Sequence, residues 1–143
     1  MEQTVETLSA VASRMGRAWN DGDAAGFFAD FAEDGKLVEF EGTIGQGRQA
    51  LVQAQTPLFE TVLKGSRLVD SSVEFAEIVQ PGVGIVHHRA VLLMAGETDP
   101  LPTRYLSQLY VLHWRDERWQ IVALHNSRVL SFRSIAQLDA LAG

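Results

Sequence analysis

Apolar residues recur at steps of three and four through the first third of this chain, and from about residue 67 onward they alternate at steps of two. Helix-forming segments therefore come first and strand-forming segments afterwards. A parallel sheet of βαβ units needs the two kinds interleaved. The order found here predicts an α+β fold, an antiparallel sheet packed on three N-terminal helices.

Val5, Leu8, Ala12, Met15 and Trp19 share one face of a first helix that stops at Asn20-Asp21-Gly22, where glycine permits a left-handed C-terminal residue. Asp23 suits the N-cap of a second helix, Ala24 to Phe31, which ends at Glu33-Asp34-Gly35. Lys36 to Glu41 alternates as a strand, and a short second strand fits the glycines at 42, 45 and 47. A third helix runs from Gln46 or Gly47 to about Leu63, with a kink or break expected at Pro57. Leu68–Val79, Gly84–Ala95, Arg104–Arg115 and Arg118–Leu130 read as long strands. Gln80-Pro81-Gly82-Val83 suits a type II turn. Ser134 and Gln137 fit a capping box for a short tail helix in which Ile135, Leu138 and Leu141 form an apolar stripe.

A two-residue turn at Asp116-Glu117 sets Trp114 opposite Trp119, Leu112 opposite Ile121, Tyr110 opposite Ala123 and Gln108 opposite His125. Those eight residues occupy one face, which is assigned to the helices. Asn126 falls on the other face, with Ser107, Leu109, Val111 and His113. Both faces are largely apolar, so the second is expected to meet a partner subunit. Pairing Gln80 with Val83 sets Phe75 opposite His88 and Glu74 opposite Arg89, with His88 inward; a slip of one residue would exchange His87 and His88.

The composition narrows the function. A chain of 143 residues with 46% hydrophobic and 21% charged residues suits one globular domain, residues 1–143, with 131–143 as a helical extension. No cysteine occurs, which excludes thiolate catalysis and cysteine-held zinc. No HExxH pair is present, and the histidines at 87, 88, 113 and 125 do not converge by alternation, so no metal site is expected. Glycines at 42, 45 and 47 follow a strand outside any βαβ unit, so neither a nicotinamide nor a flavin cofactor is expected. A net charge of −6 with scattered arginines argues against a nucleic-acid partner. The N-terminal residues lack the pattern of a signal peptide, and no apolar run is long enough for a membrane span, so a cytoplasmic protein is expected.

Several short motifs in order resemble one family: Trp19-Asn20-Asp21-Gly22-Asp23, Phe31-Ala32-Glu33-Asp34-Gly35, Gly42 to Arg48, Pro57-Leu58-Phe59, Lys64 to Leu68, Trp119-Gln120-Ile121 and His125-Asn126-Ser127-Arg128. From about Thr4 to Leu130 the chain is similar to the SnoaL-like branch of the nuclear-transport-factor-2-like superfamily, close to its SgcJ/EcaC-like group. The resemblance implies a cone-shaped fold, a homodimer formed through the outer sheet face, and an apolar pocket between sheet and helices. It implies no single activity, because such folds include isomerases, dehydratases, cyclases and members without enzyme activity. Many relatives carry a histidine where this chain has Gln55.

Within that frame His125 is the candidate general base, sharing the inward face with Gln108 and Tyr110. His88 is a second catalytic candidate, and Tyr110 could donate its hydroxyl to a developing oxyanion. Each has a plain alternative as a hydrogen-bonded core residue. Gln108, Trp119, Asn126, Trp19 and Phe59 are the candidate ligand contacts, although the aromatic residues suit a hydrophobic core equally well. Arg48 and Arg128 suit either an anionic substrate group or solvent. Of the carboxylates, Glu74 and Glu77 split between faces, and Val38 and Phe40 suit the interior better than Glu39 and Glu41. Two functions remain open. One is cofactor-independent proton transfer on an aromatic or polyketide-like molecule; the other is a non-enzymatic dimeric module that binds a ligand or a protein.

Overall fold

The computed structural model describes residues 2–130 and 132–142. Thr4 caps the first helix, α1 (Val5–Asn20): its hydroxyl accepts from the Thr7 N–H while Thr7 Oγ1 accepts from the Thr4 N–H. Leu8, Val11, Ala12, Met15 and Ala18 are buried, whereas Val5 is 44% exposed and lies outside the expected stripe. Asp23 caps α2 (Ala24–Phe27) through the Gly26 N–H. This helix stops four residues short of its predicted end, because Phe31 is drawn into the sheet beside Ile121.

The strands are β1 (Phe31–Val38), β2 (Ile44–Gln46), β3 (Arg67–Gln80), β4 (Val83–Leu93), β5 (Tyr105–Arg115) and β6 (Arg118–Arg128). They form one sheet in the order β2-β1-β6-β5-β4-β3. Every pairing is antiparallel except β1 with β6, which is parallel; the sheet is mixed, not purely antiparallel. The parallel pair arises because β1 is inserted beside the last strand, far away in sequence. Helix α3 (Arg48–Glu60) continues through Pro57 without the expected break. Pro57 lies in its final turn, so the bond its missing N–H would make to the Gln53 carbonyl is lost, but little helix follows to be displaced. A last helix, α4 (Phe132–Ala142), begins before Ser134, so Ser134 lies inside it and not at its cap; its side chain lies outside the described residues, as does that of Leu138. No helix among the described residues is long and apolar enough to cross a membrane.

The turns hold as read. Gly82 takes φ +81°, as a type II turn requires of its third residue. Asp116 and Glu117 take φ 52° and 58°, the signature of a type I′ hairpin, with Arg115 opposite Arg118. Trp114 then meets Trp119 and Leu112 meets Ile121, as predicted. Beyond that point a bulge at Val122 shifts the register by one: Val111 pairs with Ala123, Tyr110 with Leu124 and Gln108 with Asn126. The inner face of β6 is therefore Trp119, Ile121, Leu124 and Asn126, and His125 moves to the outer face beside Leu109. The β3–β4 ladder carries three irregularities, and His88 pairs with Val73, not Phe75.

The helices cover the tryptophan face. Trp119, Leu112 and Ile121 are fully buried, with Tyr110 and Leu124 nearly so, and the Trp119 indole donates to Thr7 Oγ1 of α1 at 3.1 Å. Gly84 lets α1 approach closely, since a Cβ there would meet the Leu8 side chain at 2.7 Å. The outer face leaves Phe75, Val79, Tyr105 and Leu109 substantially exposed.

Candidate functional site

Between the sheet's inner face and the helices lies a cavity of about 300 Å³. Its apolar walls come from α1 (Trp19), α2 (Phe27), β1 (Leu37), β4 (Leu92) and β6 (Leu124), with Met94 just beyond β4. Trp19 is held by a hydrogen bond from its indole to Ser66 Oγ at 3.1 Å and meets Phe27 and Phe59 edge-on. Few polar side chains interrupt this surface: Glu39, Gln55, Thr103, Arg104, Gln108, Asn126 and Arg128.

Strand pairing aligns the polar groups. His88 lies opposite Gln108, and Gln108 opposite Asn126. Val38 pairs with His125, which brings the following residue, Glu39, alongside Asn126. A polar row thus crosses the inner face from β4 to the end of β1, between the rows Val86-Tyr110-Leu124 and Ala90-Leu106-Arg128. Within it, Gln108 Oε1 accepts from the Tyr110 hydroxyl at 2.9 Å and meets His88 Nδ1 at 3.1 Å; Gln108 Nε2 donates to Asn126 Oδ1 at 3.4 Å. An amide oxygen only accepts, so His88 carries its proton on Nδ1.

Burial lowers the His88 pKa, the neighbouring His87 lowers it further, and the bond to Gln108 opposes them. Burial alone raises that of Tyr110, which keeps its hydroxyl protonated. Glu39 is raised by partial burial and by the adjacent Glu41, and so takes up a proton more readily than an ordinary glutamate. Arg104 is committed to Glu97, at 3.0 Å. Arg128 lies 4.0 Å from the centre of the Phe40 ring and makes no ion pair among the described residues. Gln55 is 8% exposed, and its side-chain nitrogen has no hydrogen-bond partner among the described residues.

The structure redistributes the sequence candidates. Gln108, Asn126 and Trp19 border the cavity; Phe59 buttresses Trp19 from behind. Trp119 is 0% exposed and belongs to the core beneath the cavity, not to its lining. Tyr110 and His88 face inward but stand behind Gln108; His88 also borders a shallower cleft between α1 and β3 with Ser13, Arg17 and Ser72. His125 is exposed on the opposite face, so the expectation that it shares the inward face is corrected, the Val122 bulge being the cause. Arg48 donates to the Phe31 carbonyl and does not border the cavity. Glu39 and Gln55 were not singled out as site residues. Glu39 is placed by the parallel β1–β6 pairing, which no local pattern announces; Gln55 carried a signal, as an amide between the apolar positions Leu51 and Phe59 of one helix face.

An α+β sheet closed over helices around one apolar cavity defines the class to which solved structures with cystatin-like and nuclear-transport-factor-2-like folds belong. A domain of unknown function with a cystatin-like fold from Nostoc punctiforme is 32% identical, with a TM-score of 0.86 over 98% of this chain and 88% of its own. This chain belongs to the same family as that domain. A ketosteroid isomerase-like protein from Erwinia carotovora is 18% identical, with a TM-score of 0.74 over 92% of this chain and 100% of its own. An NTF-2-like protein of unknown function from Shewanella oneidensis is 17% identical, with a TM-score of 0.71 over 85% of this chain and 97% of its own. No family model matches the sequence, and no curated protein does.

Proposed function

We propose that this is a SnoaL-like domain whose cavity binds a small, mainly apolar molecule, aromatic or polyketide-like, and transfers a proton on it without a cofactor. The observation that carries the reading is a carboxyl group, Glu39, bordering a largely apolar cavity, with its pKa raised by partial burial and by the adjacent Glu41. Glu39 takes the role first expected of His125. The base removes a proton from a carbon beside a carbonyl, and Asn126, one strand away, is placed to steady the oxygen on which charge collects. Tyr110 and His88 act through Gln108. The apolar walls exclude water from the reacting carbon.

The second reading is a ligand-binding module without turnover. It draws support from Tyr110 and His88, both tied to Gln108 and neither bordering the cavity. In either case we propose a homodimer built on the outer sheet face, where Phe75, Val79 and Leu109 are exposed.

The test is proton exchange in D₂O, with 4-phenylbutan-2-one as probe and deuterium uptake beside its carbonyl followed by NMR. Catalysed exchange that Glu39→Gln abolishes supports proton transfer. Binding of the probe with no exchange above buffer, in wild type and variant alike, leaves the ligand-binding module.

A further inference from the structure

We infer that the His88–Gln108–Tyr110 network behind the cavity wall sets the hydrogen-bond polarity of the ligand site, which therefore takes a molecule ending in an acceptor oxygen, a ketone or a carboxylate. The inference rests on the cavity being a ligand site and adds the chemistry of the ligand's polar end.

The Tyr110 hydroxyl fixes the orientation of the row. Tyr110 is 1% exposed, and its only hydrogen-bond partner among the described residues is the side chain of Gln108. A buried O–H must find an acceptor, so Gln108 turns its oxygen toward Tyr110. His88 reinforces this orientation by donating to the same oxygen. With Gln108 Oε1 occupied twice, Nε2 is left to donate toward β6, and Asn126 answers with its oxygen. Asn126 is then left with its own N–H₂ as the group free to meet a ligand.

A further donor borders the same space. Arg128, aligned by Phe40, offers N–H groups and no acceptor. The Gln55 nitrogen is sealed from the cavity and takes no part. Against the donors of Asn126 and Arg128 stand one carboxyl, Glu39, and the Thr103 hydroxyl, which donates as readily as it accepts. His88 touches no ligand; it is a positioning residue, acting through Gln108 and Asn126.

The test uses the full chain and calorimetric titration with 4-phenylbutan-2-one, 3-phenylpropanoate and 4-phenylbutan-2-amine. The ketone or the carboxylate is expected to bind about tenfold more tightly than the amine, which can address only Glu39 and the Thr103 hydroxyl. A carboxylate advantage over the ketone points to an anionic ligand held by Arg128, and the reverse order to a neutral carbonyl. In a His88→Leu/Tyr110→Phe protein the Gln108 amide is free to turn, and the preference should shrink toward parity. His88→Asn, which can still donate to Gln108, should restore most of it in the Tyr110→Phe background. If the double variant fails to fold, Tyr110→Phe alone is compared with wild type, and a reduced ratio is expected. An amine bound as tightly as the ketone and carboxylate by the wild-type protein would overturn the inference and leave the cavity as a ligand site. An unchanged ratio in the variants would also overturn it. Failure of all three probes to bind would overturn the cavity reading itself.

Discussion

The indole of Trp19 donates to the Ser66 hydroxyl at 3.1 Å, joining the end of α1 to the segment just before β3. Ser66 is only 4% exposed, so the bond holds the cavity's aromatic wall in place while satisfying a buried polar group. Trp19→Phe removes the donor and leaves a void between Phe27 and Phe59. Chemical denaturation should show a loss of about 2 kcal/mol. A loss well below that would mean Trp19 is not a structural wall.

Gln55 makes the opposite prediction. Its buried nitrogen is unpaired, so Gln55→Leu replaces an unsatisfied amide by an apolar side chain of similar size. The protein should gain about 1 kcal/mol in stability. Urea titration checks this. A destabilised variant would contradict the reading of the Gln55 nitrogen as a buried, unsatisfied donor.

The bulge at Val122 separates two neighbours that differ sharply in consequence. His125 is exposed on the outer face, so His125→Ala should leave probe affinity unchanged. Stability should move by no more than about 0.5 kcal/mol. Asn126 borders the cavity, and Asn126→Leu should weaken ketone binding about tenfold. The reverse pattern in a calorimetric comparison would place β6 in the unbulged register.

His88 links stability to pH. Burial, aided by His87, holds its pKa below the ordinary 6.5 in the folded state, so in the window beneath 6.5 the unfolded chain binds the extra proton. Stability should therefore fall as pH drops below 6.5. His88→Gln should flatten that part of the profile, as measured by urea midpoints at steps of about half a pH unit. Parallel profiles for the two proteins would show that His88 is not held neutral by the fold.

The order of helices and strands was legible because it depends on local periodicity and turn chemistry, which nearby residues determine. Asp23 as an N-cap, Gly82 in its turn and Trp114 facing Trp119 all follow from residues within a short stretch of chain. The site was less legible. A single extra residue at Val122 exchanges His125 for Asn126, and nothing in the valine-alanine-leucine sequence there marks it. Glu39 depends on a parallel pairing between residues more than eighty positions apart, so its inward placement is a tertiary outcome. His88 faces inward as expected, although its partner differs, because the Gln80–Val83 pairing holds and the later irregularities change what stands opposite β4.

Titration of ¹⁵N-labelled protein with 4-phenylbutan-2-one locates the ligand, read at the tryptophan indole N–H signals and the side-chain amides of Gln55 and Asn126. Trp19 borders the cavity, whereas Trp119 is fully buried and bonded to Thr7. Saturable shifts are expected at Trp19, Gln55 and Asn126 with Trp119 unmoved. Shifts confined to residues of the outer sheet face, or none at Trp19, would contradict binding in the cavity.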